Sequence, residues 1–329
     1  MRKFIIRITM TCVIPLVLLV ILYLVTDPFK TLKPFSLEYF DQTNRDYISS
    51  ELYLWNNSKY HYNSFIFGSS RACGLNSYKW KQYLPEGSRQ YVFQGWGETI
   101  TGIYQKINYI DSHNDSIKNA IVLIDIPGSF DTKQLPTKVL SIKDYKFSGQ
   151  SRFMYHCMLF KGYIKPSKII QSISSSIRHN KPYICFDTIS NDWEKDNINN
   201  CFNRPVRDSL SGLSVNKRER YIKQYALRDD AGTADVLIDG DFQEILVDIK
   251  SVFEKQKTEY KIVISPGYYK NSPKINPDDL ETLQSIFGRN RVYDYSGKNE
   301  LTDDIYNFTD PGHFGLYVGW QIFEDIYEK

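Results

Sequence analysis

The chain has 329 residues, 42% of them apolar and 24% charged, and a net charge of +3. That length holds one large domain or two small ones with a substantial core. The near balance of charge and the scatter of basic residues argue against a nucleic-acid partner. No cysteine or histidine spacing fits a zinc site, so neither a metal nor a cofactor is expected.

Met1-Arg2-Lys3 precede an apolar run from about Phe4 to Val25, interrupted mainly by Arg7. Roughly 20 such residues suit a helix that crosses a bilayer. The basic start favours a cytoplasmic N-terminus. The exit reads Tyr23-Leu24-Val25-Thr26-Asp27-Pro28, with no small-x-small cleavage site. Residues 1–26 are therefore expected to be an uncleaved anchor, cleavage being the alternative, and the rest lies outside the cytoplasm. Residues 27–60 are mixed, aromatic and polar, and read as a stalk that becomes ordered against a domain over residues 61–329.

Ser64–Phe67 is an apolar strand stopped by Gly68, and a second glycine, Gly74, closes the turn that follows. A short helix is expected within 75–84. Gln90–Phe93 is a second strand, broken by Gly95-Trp96-Gly97. Ile100, Ile103, Tyr104, Ile107 and Ile110 recur at helical spacing. Ala120–Ile124 is continuously apolar, the mark of a central parallel strand. This alternation predicts an α/β sheet with right-handed crossovers. Residues 131–235 break the rhythm. They read as an insertion at the catalytic edge, with helices at 153–164 and 169–177 and a basic cluster, Lys217 to Arg220, on a solvated helix face. The insertion either shapes a substrate site or has no part in binding. The rhythm resumes with a helix over 241–256 and a strand at 260–264. A helix follows from Pro277 to Gly288, then a strand at 291–294 and a last helix from about Phe314.

Ser70 sits at the mouth of the first strand-to-helix turn, where an open α/β sheet binds its ligands. A serine hydroxyl needs a base within reach and a third group to orient that base. Of the five histidines, His61, His113, His156, His179 and His313, the last follows a carboxylate in Asp310-Pro311-Gly312-His313. In that turn the Asp310 carboxylate can reach Nδ1 of His313 and leave Nε2 for Ser70. Thr309 or Asp310 capping the last helix is the plainer reading, and it is compatible with the first. Tyrosines recur along the whole chain; packing is their first reading and a carbohydrate-facing surface their second. Of the five cysteines, Cys185 and Cys201 suit either a disulfide or two free buried thiols.

Gly68-Ser69-Ser70-Arg71-Ala72-Cys73-Gly74 and Asp310-x-x-His313, in that order, resemble the two ends of the SGNH (GDSL-type) hydrolase superfamily. The resemblance implies a flavodoxin-like three-layer fold, with Ser70 as nucleophile, Asp310 as orienting acid and His313 as base. It implies oxyanion donors from the Ser70 N–H and from Gly95, with Gly97 second. The asparagine that the family places after its third strand is absent, where this chain reads Asp125-Ile126-Pro127-Gly128-Ser129. Ser129, or a group from the insertion, is the candidate replacement. Arg71 and Tyr268, with Tyr269, are candidate substrate contacts; a salt bridge and plain surface tyrosines are the bland alternatives.

The anchor, the Gly-Ser-Ser variant and Asp-Pro-x-His together resemble the DltD-type and exopolysaccharide O-acetyltransferase-like proteins. That implies a single-pass protein of the bacterial inner membrane with a periplasmic domain. It would pass an acyl group, acetyl above all, from a polytopic membrane acyltransferase partner through Ser70 to an envelope polysaccharide. An esterase for small esters or lipids shares the same triad. A non-catalytic binding or assembly module that keeps the fold is the alternative from another class.

Overall fold

The computed structural model describes residues 1–37, 44–130, 132, 142–177, 194–203 and 215–328. The strands, in chain order, are β1 (Ser64–Gly68), β2 (Gln90–Gln94), β3 (Asn119–Ile124), β4 (Glu194–Asp196), β5 (Cys201–Asn203), β6 (Glu259–Ile264), β7 (Val292–Asp294), β8 (Phe308–Asp310) and β9 (His313–Phe314). The helices are α1 (Arg2–Thr26), α2 (Arg45–Tyr60), α3 (Ser77–Lys81), α4 (Ile100–Ser112), α5 (Tyr145–Ser148), α6 (Arg152–Tyr163), α7 (Pro166–Ile177), α8 (Val215–Tyr225), α9 (Gly240–Gln256), α10 (Pro277–Phe287) and α11 (Leu316–Glu328).

Five parallel strands form the central sheet in the order β2-β1-β3-β6-β7. Chain progression reverses between β1 and β3. In such a doubly wound sheet, the crevice beyond the strand ends at that reversal is where ligands bind. Both faces are covered, which is why the strands are apolar without alternation. Phe65, Phe67, Phe93, Val122 and Ile124 point to one face, where α2, α4, α9 and α10 pack. Ile66, Val92, Ile121 and Leu123 point to the other, beneath Trp80 of α3 and Val318, Ile322 and Phe323 of α11. Each large apolar side chain so buried contributes about 1.5–3 kcal/mol.

The segment expected as a stalk contributes α2 to this core. Asn44 caps the helix by accepting the Tyr47 N–H at 3.2 Å. Ile48, Leu52 and Tyr53 are fully or almost fully buried, and the Tyr53 ring stacks on Phe93 with centroids 5.2 Å apart. The face was hidden in the sequence because Arg45, Asp46, Ser49 and Ser50 are buried beside those apolar residues. The polar partners of Arg45, Asp46 and Ser49 come from distant parts of the chain.

The stretch after β3 also does more than decorate the catalytic edge. Phe147 of α5 packs on Tyr53, Phe93 and Tyr109 in the core. The turn between β4 and β5 covers the outer edge of β2, whose unpaired backbone would otherwise be open to another strand. The Val92 N–H donates to the Asn199 carbonyl at 2.9 Å. Asn200 donates through Nδ2 to the Val92 carbonyl and to Ser49 Oγ, each at 2.7 Å. Its Oδ1 accepts from Arg45 Nη2 at 2.6 Å. Cys201 is a free buried thiol, and burial pushes it up to about 11; Cys185 lies outside the described residues.

The first helix is long and apolar enough to cross a membrane, with a mean hydropathy of 2.7 and only 6% of its apolar window buried.

Asn200→Ala removes a buried hydrogen-bond partner from Arg45 Nη2 and from the Val92 carbonyl at once. It is expected to destabilise the domain by about 2 kcal/mol or more. Equilibrium denaturation of the full chain in mild detergent checks this.

Candidate active site

The end of β1 is built around two adjacent serines with different fates. Ser69 is buried. Its Oγ accepts the Arg71 N–H at 3.1 Å and so caps the 3-10 turn Ser70–Gly74. The same hydroxyl donates to Asp125 Oδ2, just past β3. The ends of the two central strands are thereby tied together at the reversal of the sheet. Ser70, half-buried, is left facing outward at the first position of the turn. A backbone N–H there has no acceptor within its own turn.

The second half of the site is the hairpin of β8 and β9, in which Asp310 pairs with His313 across Pro311-Gly312. His313 Nδ1 lies 2.9 Å from Asp310 Oδ1 and 2.8 Å from Oδ2. The Gly312 N–H donates to the same Oδ1 at 2.9 Å and fixes the carboxylate. Gly312 is not in the left-handed region, so its backbone does not need glycine. An ionised carboxylate only accepts, which places the imidazole proton on Nδ1 and a lone pair on Nε2. Nε2 is 2.8 Å from Ser70 Oγ. The structure thus brings Ser70, His313 and Asp310 into one hydrogen-bonded chain.

Close backbone approach holds the two halves together. A Cβ on Gly74 would lie 2.3 Å from the Phe314 ring, and one on Gly319 would lie 2.0 Å from the Gly74 carbonyl oxygen. Neither position has room for a side chain, so β9 and α11 rest directly on the Ser70–Gly74 turn. From the other side, the Tyr268 N–H and Asn271 Nδ2 donate to the Pro311 carbonyl at 3.1 and 3.4 Å.

The remaining expected contacts fall out differently. The Gly95 N–H donates to the Gly68 carbonyl at 3.1 Å. It extends the β1–β2 ladder and is not offered to an oxyanion. Gly95 is glycine for another reason: a Cβ would come 2.5 Å from Glu98 Oε2 and 2.9 Å from Asp46 Oδ2. Gly97 lies in an exposed turn at a φ of +62°, in the left-handed region that favours glycine. Ser129 is fully buried, and its Oγ accepts the Asp125 N–H at 2.9 Å, so it does not face a substrate. Tyr268 is buried against Tyr269 and Phe308, and burial raises its phenol; it serves the site through its backbone. Arg71 Nε lies 3.9 Å from Asp125 Oδ1, while Nη1 and Nη2 reach Ser265 and Ser272 Oγ at 3.5 and 3.4 Å. It links the Ser70–Gly74 turn to the loop that supports the hairpin. The salt bridge is its observed use.

A buried ionic cluster next to Gly95 escaped the sequence reading. Asp46, Glu98, Lys106 and Lys143 are all almost fully buried. Lys106 Nζ lies 2.8 Å from Asp46 Oδ2 and also bonds Glu98, while Lys143 bonds Glu98 and lies 3.5 Å from Asp46. Burial by itself would raise the Asp46 carboxyl, but the two ammonium groups outweigh it and hold it at about 2. Two acids face two bases, so the cluster is neutral. Removing one member of such a group costs about 3–5 kcal/mol, because its partner is left charged and buried. One signal was visible: Lys106 lies on the apolar stripe of α4 between Ile103 and Ile107.

Among the described residues no three of His, Cys, Asp and Glu are grouped to hold a metal ion. No protein-family model matches the chain, and no curated protein matches it. The chemistry therefore rests on geometry. The site can take a proton from Ser70 onto His313 and balance the resulting imidazolium with Asp310.

Asp144 yields a pH prediction. Burial pushes its carboxyl up to about 7, and its Oδ2 is buried without a partner. In the unfolded chain the group ionises near pH ~4. The folded state therefore holds the extra proton between about pH 4 and 7, and stability falls as pH rises through that window. Asp144→Asn keeps the cap on the Lys146 N–H and removes the titration. Its expected signature is parity with the wild type near pH 4 and a gain of more than about 1 kcal/mol at pH 8. Denaturation midpoints at the two pH values measure it.

Proposed function

We propose that the chain is a membrane-anchored, extracytoplasmic serine acyltransferase or esterase of the SGNH type. The observation that carries this reading is the continuous chain Ser70 Oγ, His313 Nε2, His313 Nδ1, Asp310, with contacts of 2.8 to 2.9 Å. In the first half-reaction, Ser70 Oγ attacks the carbonyl carbon of an ester while its proton moves to Nε2. The tetrahedral intermediate collapses, and the proton passes to the departing alkoxide. The acyl group is left on Ser70. In the second half, a hydroxyl from a sugar or from water gives its proton to Nε2 as it attacks the acyl-enzyme. Collapse then returns that proton to Ser70.

The Asp310 and His313 side chains are 40% and 35% exposed. That openness suits an extended polymer better than an enclosed small molecule, and it supports an envelope polysaccharide as acceptor. α1 supports the membrane anchor through its length and hydropathy. The acyl donor would then come from a membrane partner such as a polytopic acyltransferase.

One set of observations favours the second reading, a binding module that keeps the fold. The Gly95 N–H is already bonded, and the position after β3 holds Asp125, whose carboxylate accepts from Ser69. Two expected oxyanion donors are therefore missing, and each typically supplies about 10²–10³ in rate.

Fluorophosphonate labelling of the full chain in detergent separates the two readings. An acyl-transferring enzyme is modified at Ser70, not at all in Ser70→Ala, and roughly 10²–10⁴-fold more slowly in His313→Ala. Folded wild-type protein that resists the probe and leaves acetyl esters intact would establish the binding module.

A further inference from the structure

The structure carries a second apolar surface beside α1. The end of α1 is seated on α6: Tyr23 and Phe29 are buried in one cluster with Tyr155, Leu159 and Tyr163. The Tyr23 ring lies 5.4 Å from both Phe160 and Tyr163, centroid to centroid. α1 also touches α7. The α6–α7 pair is thus held at the level where α1 would leave a bilayer.

The other side of this pair is apolar and open. Phe153 is 77% exposed and Ile170 67%, with Met154, Ile164 and Ile173 exposed around them. Arg152, Lys161 and Lys165 lie exposed among these side chains. Exposed apolar side chains interspersed with exposed basic ones suit a surface that lies in a membrane interface.

Charge along the sequence is an independent observation. Residues 145–186 contain no Asp or Glu and seven Lys or Arg, from Lys146 to Lys181. At the overall frequency of 38 acids in 329 residues, a stretch of that length would hold about five. With +3 on the whole chain and +7 on this segment, the rest carries −4. Five of the seven, Lys146 to Lys168, lie on or beside α5, α6 and α7.

We infer that the α6–α7 pair is a second membrane contact, lying on the surface of an anionic bilayer beside α1. This rests on reading α1 as a membrane helix. The apolar side chains enter the acyl boundary, and the basic rim meets phosphate headgroups. The domain is then held at two points, which fixes its orientation on the membrane.

The test uses the full chain in vesicles of phosphatidylcholine and phosphatidylglycerol, with one lipid at a time brominated on its acyl chains. Tryptophan is introduced as Phe153→Trp or Ile170→Trp, with Ile14→Trp in α1 and Val247→Trp on α9 as references. Phe153→Trp and Ile170→Trp are expected to lose emission to brominated lipid, and Val247→Trp is not. Brominated phosphatidylglycerol should quench more than brominated phosphatidylcholine at equal mole fraction, and high salt should remove the excess. Equal quenching by the two lipids overturns the anionic surface. Quenching of Ile14→Trp alone overturns the inference and leaves the anchor standing; the face would then be covered by something other than lipid, such as a partner protein. An unquenched Ile14→Trp rejects the anchor itself. Positions on two helices keep the test intact where one variant misfolds.

Discussion

The bond from the Ser69 hydroxyl to the Asp125 carboxylate fixes the geometry on which the site depends. β1 and β3 are neighbours in the sheet, yet their following segments leave in opposite directions. A crevice opens there in any doubly wound sheet. Here Asp125, the first residue after β3, is tied to Ser69 at the start of the Ser70–Gly74 turn. Ser69 accepts the Arg71 N–H as well, so one buried hydroxyl sets both the strand ends and the pitch of the 3-10 turn. That pitch turns Ser70 outward. A misplacement of about 1 Å in such a site can cost on the order of a hundredfold in rate, so Ser69 matters although it does no chemistry.

The supports of the site are unlike one another. On the hairpin side they are steric: Gly74 and Gly319 leave no room for adjustment between β9, α11 and the turn. On the β2 side they are electrostatic. Asp46 and Glu98 press against the Gly95 backbone, and Lys106 and Lys143 neutralise them from behind. Buried ion groups of this kind add little net stability over an apolar core. Their effect is geometric, because four charges in low dielectric have few acceptable arrangements. Gly95-Trp96-Gly97 is thereby held in one position beside Ser70.

Much of this was legible in the sequence, for identifiable reasons. Continuous apolar runs marked β1 and β3, since strands buried on both faces leave no alternation to misread, and shorter apolar runs marked β2 and β6. Asn276-Pro277 and Gly288 bracket α10 with an ordinary cap and stop. The order Ser70, Asp310, His313 was enough to place three side chains in one chain of hydrogen bonds, because the last two are neighbours in a tight turn. α2 was not legible, because half its buried face is polar and its partners lie far along the chain. Asn200, for example, is 155 residues from the Arg45 it binds. The role of Gly95 was misread for a similar reason. A glycine after a strand suggests an open backbone, and only the tertiary structure shows the carboxylates that require it. Tyr268 and Ser129 illustrate a third failure: a residue type suited to a ligand is equally suited to the core.

The buried ions and the anchor are joined through three consecutive residues. Ile142 belongs to the apolar cluster around Tyr23 and Tyr155. Lys143 belongs to the ionic cluster with Glu98 and Asp46. The Asp144 N–H donates to Asp46 Oδ1 at 2.9 Å, and its carboxylate caps α5. The segment that packs beside α1 and α6 is therefore continuous in the chain with the buried ion pairs. Structural continuity of this kind does not by itself establish energetic coupling. The packing around α1 and the ion cluster behind Gly95 nevertheless meet in the same short stretch of chain. Under the proposed function an acyl group delivered at a membrane surface would have to meet Ser70 at a defined height, and this short stretch is the link between α1 and the loop beside Ser70.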